Sequence, residues 1–553
     1  MEEIIFGTHA TRDLRLIYRT ATHSGLQHRC ALSPLDPLPG QPVTLTVEVG
    51  PDLPAEHIAA YFTSNGSEPA GARGVPRNGA AVAFHRAGTN WDTLLWGYRT
   101  RWEAVLPPQP EGALVRYRIG AWSAGASEVF ADWPDSKATG EEAAKAFYRH
   151  EPLPFDFKGG DPSLGHLFAY RVDRLRPPAW ARQAVVYHIF VDRFHPGDRG
   201  RWIQTADLQR LCGGTLWGVL DRIDYIAGLG ATCLWLSPIF PSPSAHGYDA
   251  TDTGHVEPRL GGDEALRALV AAAHARGMRL ILDLVCNHVS DQHPFFREAL
   301  ASPAGPYRKW FRFEDTGAGY RSYFGVRTMP EVNLDHAPAR EWMVDAGRYW
   351  LREFDVDGYR LDYATGAGPA FWSEFWGACK AERPDSFCFG EVVEPSDVQR
   401  TYLGRMDGLL DFQFAYGVRR TFADRSWSEA KFDHFMAGHH AYFPEVDFPL
   451  LTVLDNHDMD RFLFAAGDDK EALRRAARLQ MQMPGPPVLY YGTEVGMSQA
   501  ASKASRPGTE PSRAPMVWGA GQDLALLEFY RDLIQERLRS RPWERRPATS
   551  GER

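Results

Sequence analysis

Asp283, Asp362, Glu391 and Asp458 are far apart in the chain, yet each stands in, or just after, a short apolar run. Asp283 lies within such a run and is followed by Asn287 and His288. Asp362 follows Arg360 by two residues, Glu391 follows a Phe-Cys-Phe-Gly run, and Asp458 closes Asp455-Asn456-His457-Asp458. Carboxylates in pairs do one kind of chemistry well. One protonates a leaving oxygen while the other attacks, or stabilises, an oxocarbenium-like carbon, as glycosidic cleavage requires. Arg360 and Asp362, two apart, point the same way if they share a strand. The guanidinium is then expected to lower the Asp362 pKa and keep it ionised, whereas Glu391 needs a raised pKa to carry a proton near neutrality. Ordinary salt bridging at a barrel rim is the alternative reading of the four acids.

The elements that position these residues follow from hydrophobic period. From about residue 183, short apolar runs alternate with helical patterns. Residues 184–191, 231–236, 279–284, 358–361, 387–390, 408–412, 450–454 and 488–491 read as buried strands. Leu266, Leu269, Val270 and Ala273 recur as on one face of a helix that Gly277 would end. Eight strand–helix units predict a parallel (β/α)8 TIM barrel, whose active site lies beyond the C-terminal strand ends. The connection after the third strand is long and predicts a subdomain over that mouth.

Ahead of the barrel the period is two. Val43, Leu45, Val47 and Val49 alternate with polar residues, as do Trp102, Ala104 and Leu106, and Val115, Tyr117 and Ile119. An N-terminal antiparallel β-sandwich is expected. The domain reading is a sandwich over 1–135, a linker or docking segment over 136–182, and a catalytic barrel over 183–545 with an inserted subdomain at 289–336.

The chain has 553 residues, a net charge of −9, and acids and bases interspersed, which argues against a basic nucleic-acid-binding face. Six cysteines form no CxxC pair, and no apolar run reaches the roughly 20 residues of a membrane span. No signal-peptide pattern opens the sequence, so a reducing, cytoplasmic location is expected. The 17 Trp, 21 Tyr and 31 Phe supply many apolar faces, most of them expected in the core.

The runs DLVCNHV (283–289), DGYRLDYA (357–364), FGEVV (389–393) and LDNHD (454–458), in this order and strand context, resemble the α-amylase superfamily, glycoside hydrolase family 13. HGYDATD (246–252), MPEVN (329–333) and YYGTEVGM (490–497) add to the likeness, which covers about residues 183–540. The MP-x-x-N form and the N-terminal sandwich are similar to the cyclomaltodextrinase, neopullulanase and maltogenic amylase group. The resemblance implies a retaining α-glucan hydrolase acting on α-1,4 or α-1,6 linkages of maltooligosaccharides, cyclodextrins or pullulan. Asp362 is then the nucleophile, Glu391 the acid/base and Asp458 the third carboxylate. Arg360 orients Asp362, His288 and His457 bind hydroxyls of the sugar at the cleavage point, Tyr248 stacks on that sugar with Asp249 nearby, and Asp283 is structural. No organic cofactor is implied. A structural calcium on Asn287, a homodimer through the N-terminal domain and transglycosylation also follow from the resemblance. The pattern departs at Thr215, where the group has an acid, at Val393, where it has an aromatic, and at the C-terminus, where its β-sandwich is not found. A glucan or sucrose transferase or isomerase on the same scaffold, and a non-catalytic carbohydrate-binding protein, are the alternatives. Trp91, Trp96 and Tyr98 are expected to pack the sandwich or a dimer contact, with sugar stacking as the other reading.

Overall fold

In the computed structural model the described residues are 19, 22–131 and 165–544, except 199, 206, 315–318, 446 and 506–509. Two compact units are present. One comprises residues 1–175, 365–377 and 392–406; the other comprises 176–364, 378–391 and 407–553.

The first unit holds two antiparallel sheets. The strand Val43–Val49 runs between Gly97–Leu106 and Leu26–Gln27, and its four valine and leucine positions are buried in alternation. The second sheet centres on Ala113–Trp122, flanked by His57–Thr63 and by Phe168–Val172. His28 ties the sheets together: one ring nitrogen binds the Thr46 carbonyl of the first (2.8 Å), the other the Tyr117 hydroxyl of the second (2.7 Å). Phe168–Val172 falls within the segment expected to be a linker, of which 136–164 lie outside the described residues. Trp91, Trp96 and Tyr98 do not pack the sandwich. They cluster with ring centroids 5.1 and 5.5 Å from Trp91 and remain 48, 76 and 65% exposed.

The second unit is a closed barrel of eight parallel strands: β1 (Val186–Ile189), β2 (Cys233–Leu236), β3 (Arg279–Val285), β4 (Gly358–Asp362), β5 (Phe387–Gly390), β6 (Gly408–Asp411), β7 (Leu450–Val453) and β8 (Pro487–Tyr490). Val186 opposite Val488 closes the ring. These strands are buried nearly throughout, as strands covered on both faces must be. The helix Gly262–His274 buries Leu266, Leu269, Val270 and Ala273, and Gly277 beyond it takes φ +71° while its amide binds the His274 carbonyl. The helix Ala337–Phe354 starts where the long connection after β3 ends. Within that connection a short helix, Pro294–Ala301, packs aromatic rings: Phe295 stacks on Tyr307 at 4.2 Å and meets Trp310 and Trp342 edge-on.

Register sets the site. Asp283 pairs with Arg360 and Val285 with Asp362 across β3 and β4, and Leu361 pairs with Gly390 across β4 and β5. Asp362 and Glu391 therefore follow one another at the same level of the barrel mouth. Gly358 makes the β4–β5 approach possible: at φ +143° a Cβ there would lie 1.9 Å from the Phe387 carbonyl oxygen. Among the described residues no helix is long and apolar enough to cross a membrane.

Candidate active site

Arg360 is fully buried at the centre of the barrel mouth, its guanidinium against the rings of Trp235 and Tyr248. One terminal nitrogen donates to Asp283 and to Asp362, each at 2.7 Å. The other lies 2.6 Å from Glu391 Oε1. A single side chain thus gathers carboxylates from three consecutive strands, β3 to β5. The cluster carries one positive charge against three potential negative ones, so it favours keeping protons.

Burial, the largest cause, pushes Asp362 up to about 7 despite the opposing pull of Arg360, and Asp283 and Asp458 push the same way. The lowered pKa expected for Asp362 is therefore corrected: in a site this dry, desolvation and neighbouring acids outweigh one shared guanidinium. Glu391 is pushed up to about 7 by burial and by Asp362 and Asp458, as expected for an acid that holds a proton near neutrality. Its Oε2 accepts the Tyr363 amide at 3.2 Å. Asp283 also rises, to about 6, by burial.

Asp458 behaves in the opposite way. Burial raises it, but His457, Lys503 and Arg513 together hold it well below the usual carboxylate range. His457 Nε2 lies 2.9 Å from one oxygen, and Arg513 donates to the other at 2.8 Å. Its side chain is 28% exposed, the most open of the acids at the mouth. The site thus pairs two protonatable acids with one that stays charged.

Tyr248 donates its hydroxyl to Asp283 (2.9 Å) and receives His457 Nε2–H at 2.6 Å, with its ring stacked parallel to the imidazole at 5.2 Å. Burial pushes His457 down to about 4, so it is neutral at pH 7. His288 is buried beside the ring of Tyr323, 4.7 Å between centroids. Asp249 is held by the hydroxyls of Ser242 (2.6 Å) and Ser244, 3.8 Å from His246 Nδ1. The structure thus joins Asp283, Arg360, Asp362, Glu391, Tyr248, His457 and Asp458 in one contact network and leaves Asp249 on a serine cradle beside it.

Asn287, the implied calcium ligand, has its side-chain nitrogen 3.3 Å from His288 Nδ1, and its main-chain carbonyl accepts the Val332 amide. Among the described residues no group of three or more His, Cys, Asp or Glu could hold a metal ion. These surroundings offer calcium no acidic donor set, and no chemistry here runs through one. Thr215, where the resembling group has an acid, caps the helix Leu216–Asp221 by accepting the Gly218 amide at 3.0 Å.

Five residues at the mouth were not singled out from sequence. Lys503 and Arg513 come from the connection after β8, which has no periodic pattern to expose them. Tyr323 and Phe324 come from the long connection after β3. Tyr363 is the residue after Asp362, and its place at a strand-to-helix junction was the available signal.

The family model for the catalytic domain of alpha-amylase matches residues 188–526. The chain is 39% identical to Alpha-amylase 2 of Dictyoglomus thermophilum over 369 residues, covering 66% of this chain and 65% of that protein. It is 34% identical to Neopullulanase 2 of Thermoactinomyces vulgaris over 395 residues, covering 68% and 66%. The match spans just under two thirds of the length of these relatives. Among solved structures, the cyclic α-maltosyl-(1→6)-maltose hydrolase of Arthrobacter globiformis superposes with a TM-score of 0.60 at 30% identity, covering 66% of this chain and 84% of that one. A cyclomaltodextrinase superposes with a TM-score of 0.62 at 25% identity, covering 93% and 84%.

Proposed function

Because this chain belongs to the α-amylase family, glycoside hydrolase family 13, we propose that it is a retaining α-glucan hydrolase with Asp362 as nucleophile and Glu391 as general acid/base. The observation that carries this reading is the sharing of one guanidinium by both carboxylates, which supports the short separation of about 5–5.5 Å that a retaining pair needs.

The two acids, both raised to about 7, act as a coupled pair that holds one proton at neutral pH. Productive chemistry places that proton on Glu391. Asp362, which keeps the Arg360 hydrogen bond, attacks the anomeric carbon as Glu391 delivers its proton to the departing oxygen. The C–O bond breaks and a β-glycosyl ester forms on Asp362. Glu391, now a carboxylate, takes a proton from water or from a sugar hydroxyl, and that oxygen displaces Asp362 to give an α product. With water the outcome is hydrolysis; with a sugar it is transglycosylation. Asp458, held charged by His457, Lys503 and Arg513, accepts hydrogen bonds from sugar hydroxyls and offsets the cationic ring of the transition state. Tyr248 packs on the face of the same sugar, His457 holds Tyr248 and Asp458 in place through its Nε2–H, and His288 lies at the sugar's edge.

The substrate class we propose is α-1,4-linked maltooligosaccharides and cyclodextrins, with α-1,6 linkages of pullulan within reach. Relatives named neopullulanase and cyclomaltodextrinase support this choice. Six buried free cysteines suit a reducing compartment, which supports a cytoplasmic location. The exposed Trp91, Trp96 and Tyr98 support self-association through the first unit. The test of activity is chromatography of products from maltotriose, β-cyclodextrin, pullulan and sucrose. Glucose and maltose from the first two are expected. Isomerised sucrose with untouched maltotriose would overturn the reading.

A further inference from the structure

Two aromatic residues at the barrel mouth have backbones in the left-handed region. Tyr363 lies at φ +39°, ψ +53°, and Phe324 at φ +46°, ψ +30°. For bulky residues this conformation is strained and persists only where the surroundings impose it. The rings that result meet each other. Tyr363 lies 4.9 Å from Tyr323 and 5.3 Å from Phe324, and Tyr323 lies 4.7 Å from Phe324. All three are half-buried.

The trio stands beside the acids. Tyr363 directly follows Asp362, and its amide donates to Glu391 Oε2. The next amide, of Ala364, donates to the Glu391 carbonyl at 2.9 Å. Tyr323 carries the imprint of the same groups: burial first, then the charges of Asp362, Glu391 and Asp458, push its phenol upward. Its other face meets His288. Core packing alone does not require two strained backbones at one place, since an aromatic can fill space from an ordinary conformation. Strain concentrated on rings that flank the acid/base marks a surface built for a ligand.

Glu391 protonates the oxygen that departs, so the sugar carrying that oxygen lies on the Glu391 side. The geometry points to Tyr363, backed by Tyr323 and Phe324, as the platform on which the departing or accepting sugar stacks, and so as the residue that sets the balance of transfer against hydrolysis. This rests on the retaining-glycosidase reading above. The C–H face of a glucose ring stacks on an aromatic face, and a sugar retained there after bond cleavage competes with water for the glycosyl ester on Asp362.

The test compares Tyr363→Gly and Tyr363→Phe on maltotriose and on α-maltosyl fluoride, whose fluoride departs without a second sugar. Glycine adopts the left-handed backbone at no steric cost, so it removes the ring without adding strain. If Tyr363→Gly does not fold, Tyr363→Asn, which also tolerates this conformation, replaces it. The glycine variant is expected to lose kcat/KM on maltotriose about tenfold more than on the fluoride, and to lose most transfer product. Tyr363→Phe is expected to keep the wild-type ratio between the two substrates. Equal losses on both substrates, or no loss on either, would overturn the assignment and leave the trio as packing. If the unaltered protein turns over neither substrate, it is the glycosidase reading that fails.

Discussion

At the scale of residues, the site depends on how few positive charges serve how many acids. Arg360 alone faces Asp283, Asp362 and Glu391, whereas Asp458 has two cations, Lys503 and Arg513, which it shares with Glu510, and a hydrogen bond from neutral His457. That asymmetry separates the two kinds of carboxylate a glycosidase needs. It also sets the sign of the pH response. On the proposed roles, activity is expected to require one proton on the Asp362–Glu391 pair, and to fall on the acid side as Asp362 gains a second proton and on the alkaline side, from about pH 7, as Glu391 loses the only one. Glu391→Gln is expected to lower kcat on maltotriose by about 10²–10⁴-fold. On α-maltosyl fluoride, which needs no protonation, the loss is expected to be far smaller and the alkaline limb to vanish. A variant with an unchanged pH–rate profile would show that Glu391 is not the acid. The positions of these acids were legible in the sequence because strand ends and spacing mark them. Their protonation was not. For Asp362 even the sign depended on burial, which a sequence motif does not report.

At the scale of elements, two backbone features place the chemistry. Parallel pairing of β3, β4 and β5 brings Asp283, Arg360, Asp362 and Glu391 to one level, and Gly358 lets β4 and β5 approach. Gly358→Ala is expected to cost about 2–4 kcal/mol, read as a lowered midpoint in urea, and to reduce activity with the same products. An unchanged midpoint would show that the close approach at Phe387 does not constrain the strands. All eight barrel strands lie where short apolar runs indicated, within about two residues at each end. Burial on both faces makes such strands continuous hydrophobic runs, which is why they read clearly. The connections after β3 and β8 read poorly. Tyr323, Phe324, Lys503 and Arg513 are positioned by aromatic packing and ion pairs across the mouth, neither of which leaves a periodic trace.

At the scale of the whole molecule, the barrel and the antiparallel sandwich were both legible from the change in hydrophobic period near residue 183. The place of Trp91, Trp96 and Tyr98 was not: sandwich packing, a dimer contact and sugar stacking all fitted the sequence, and the structure removes the first by exposing the rings. If they mediate self-association, the double variant Trp96→Ala/Tyr98→Ala is expected to sediment as a lighter species with unchanged thermal stability. A protein that sediments identically with and without the rings would remove the case for a dimer through this surface. The catalytic account is tested most directly by trapping the enzyme with 5-fluoro-α-glucosyl fluoride and mapping the adduct by peptide mass spectrometry. The account requires one sugar ester, on the peptide bearing Asp362. An adduct on Glu391 or Asp458, or turnover of the probe to the inverted anomer with no adduct, would contradict it.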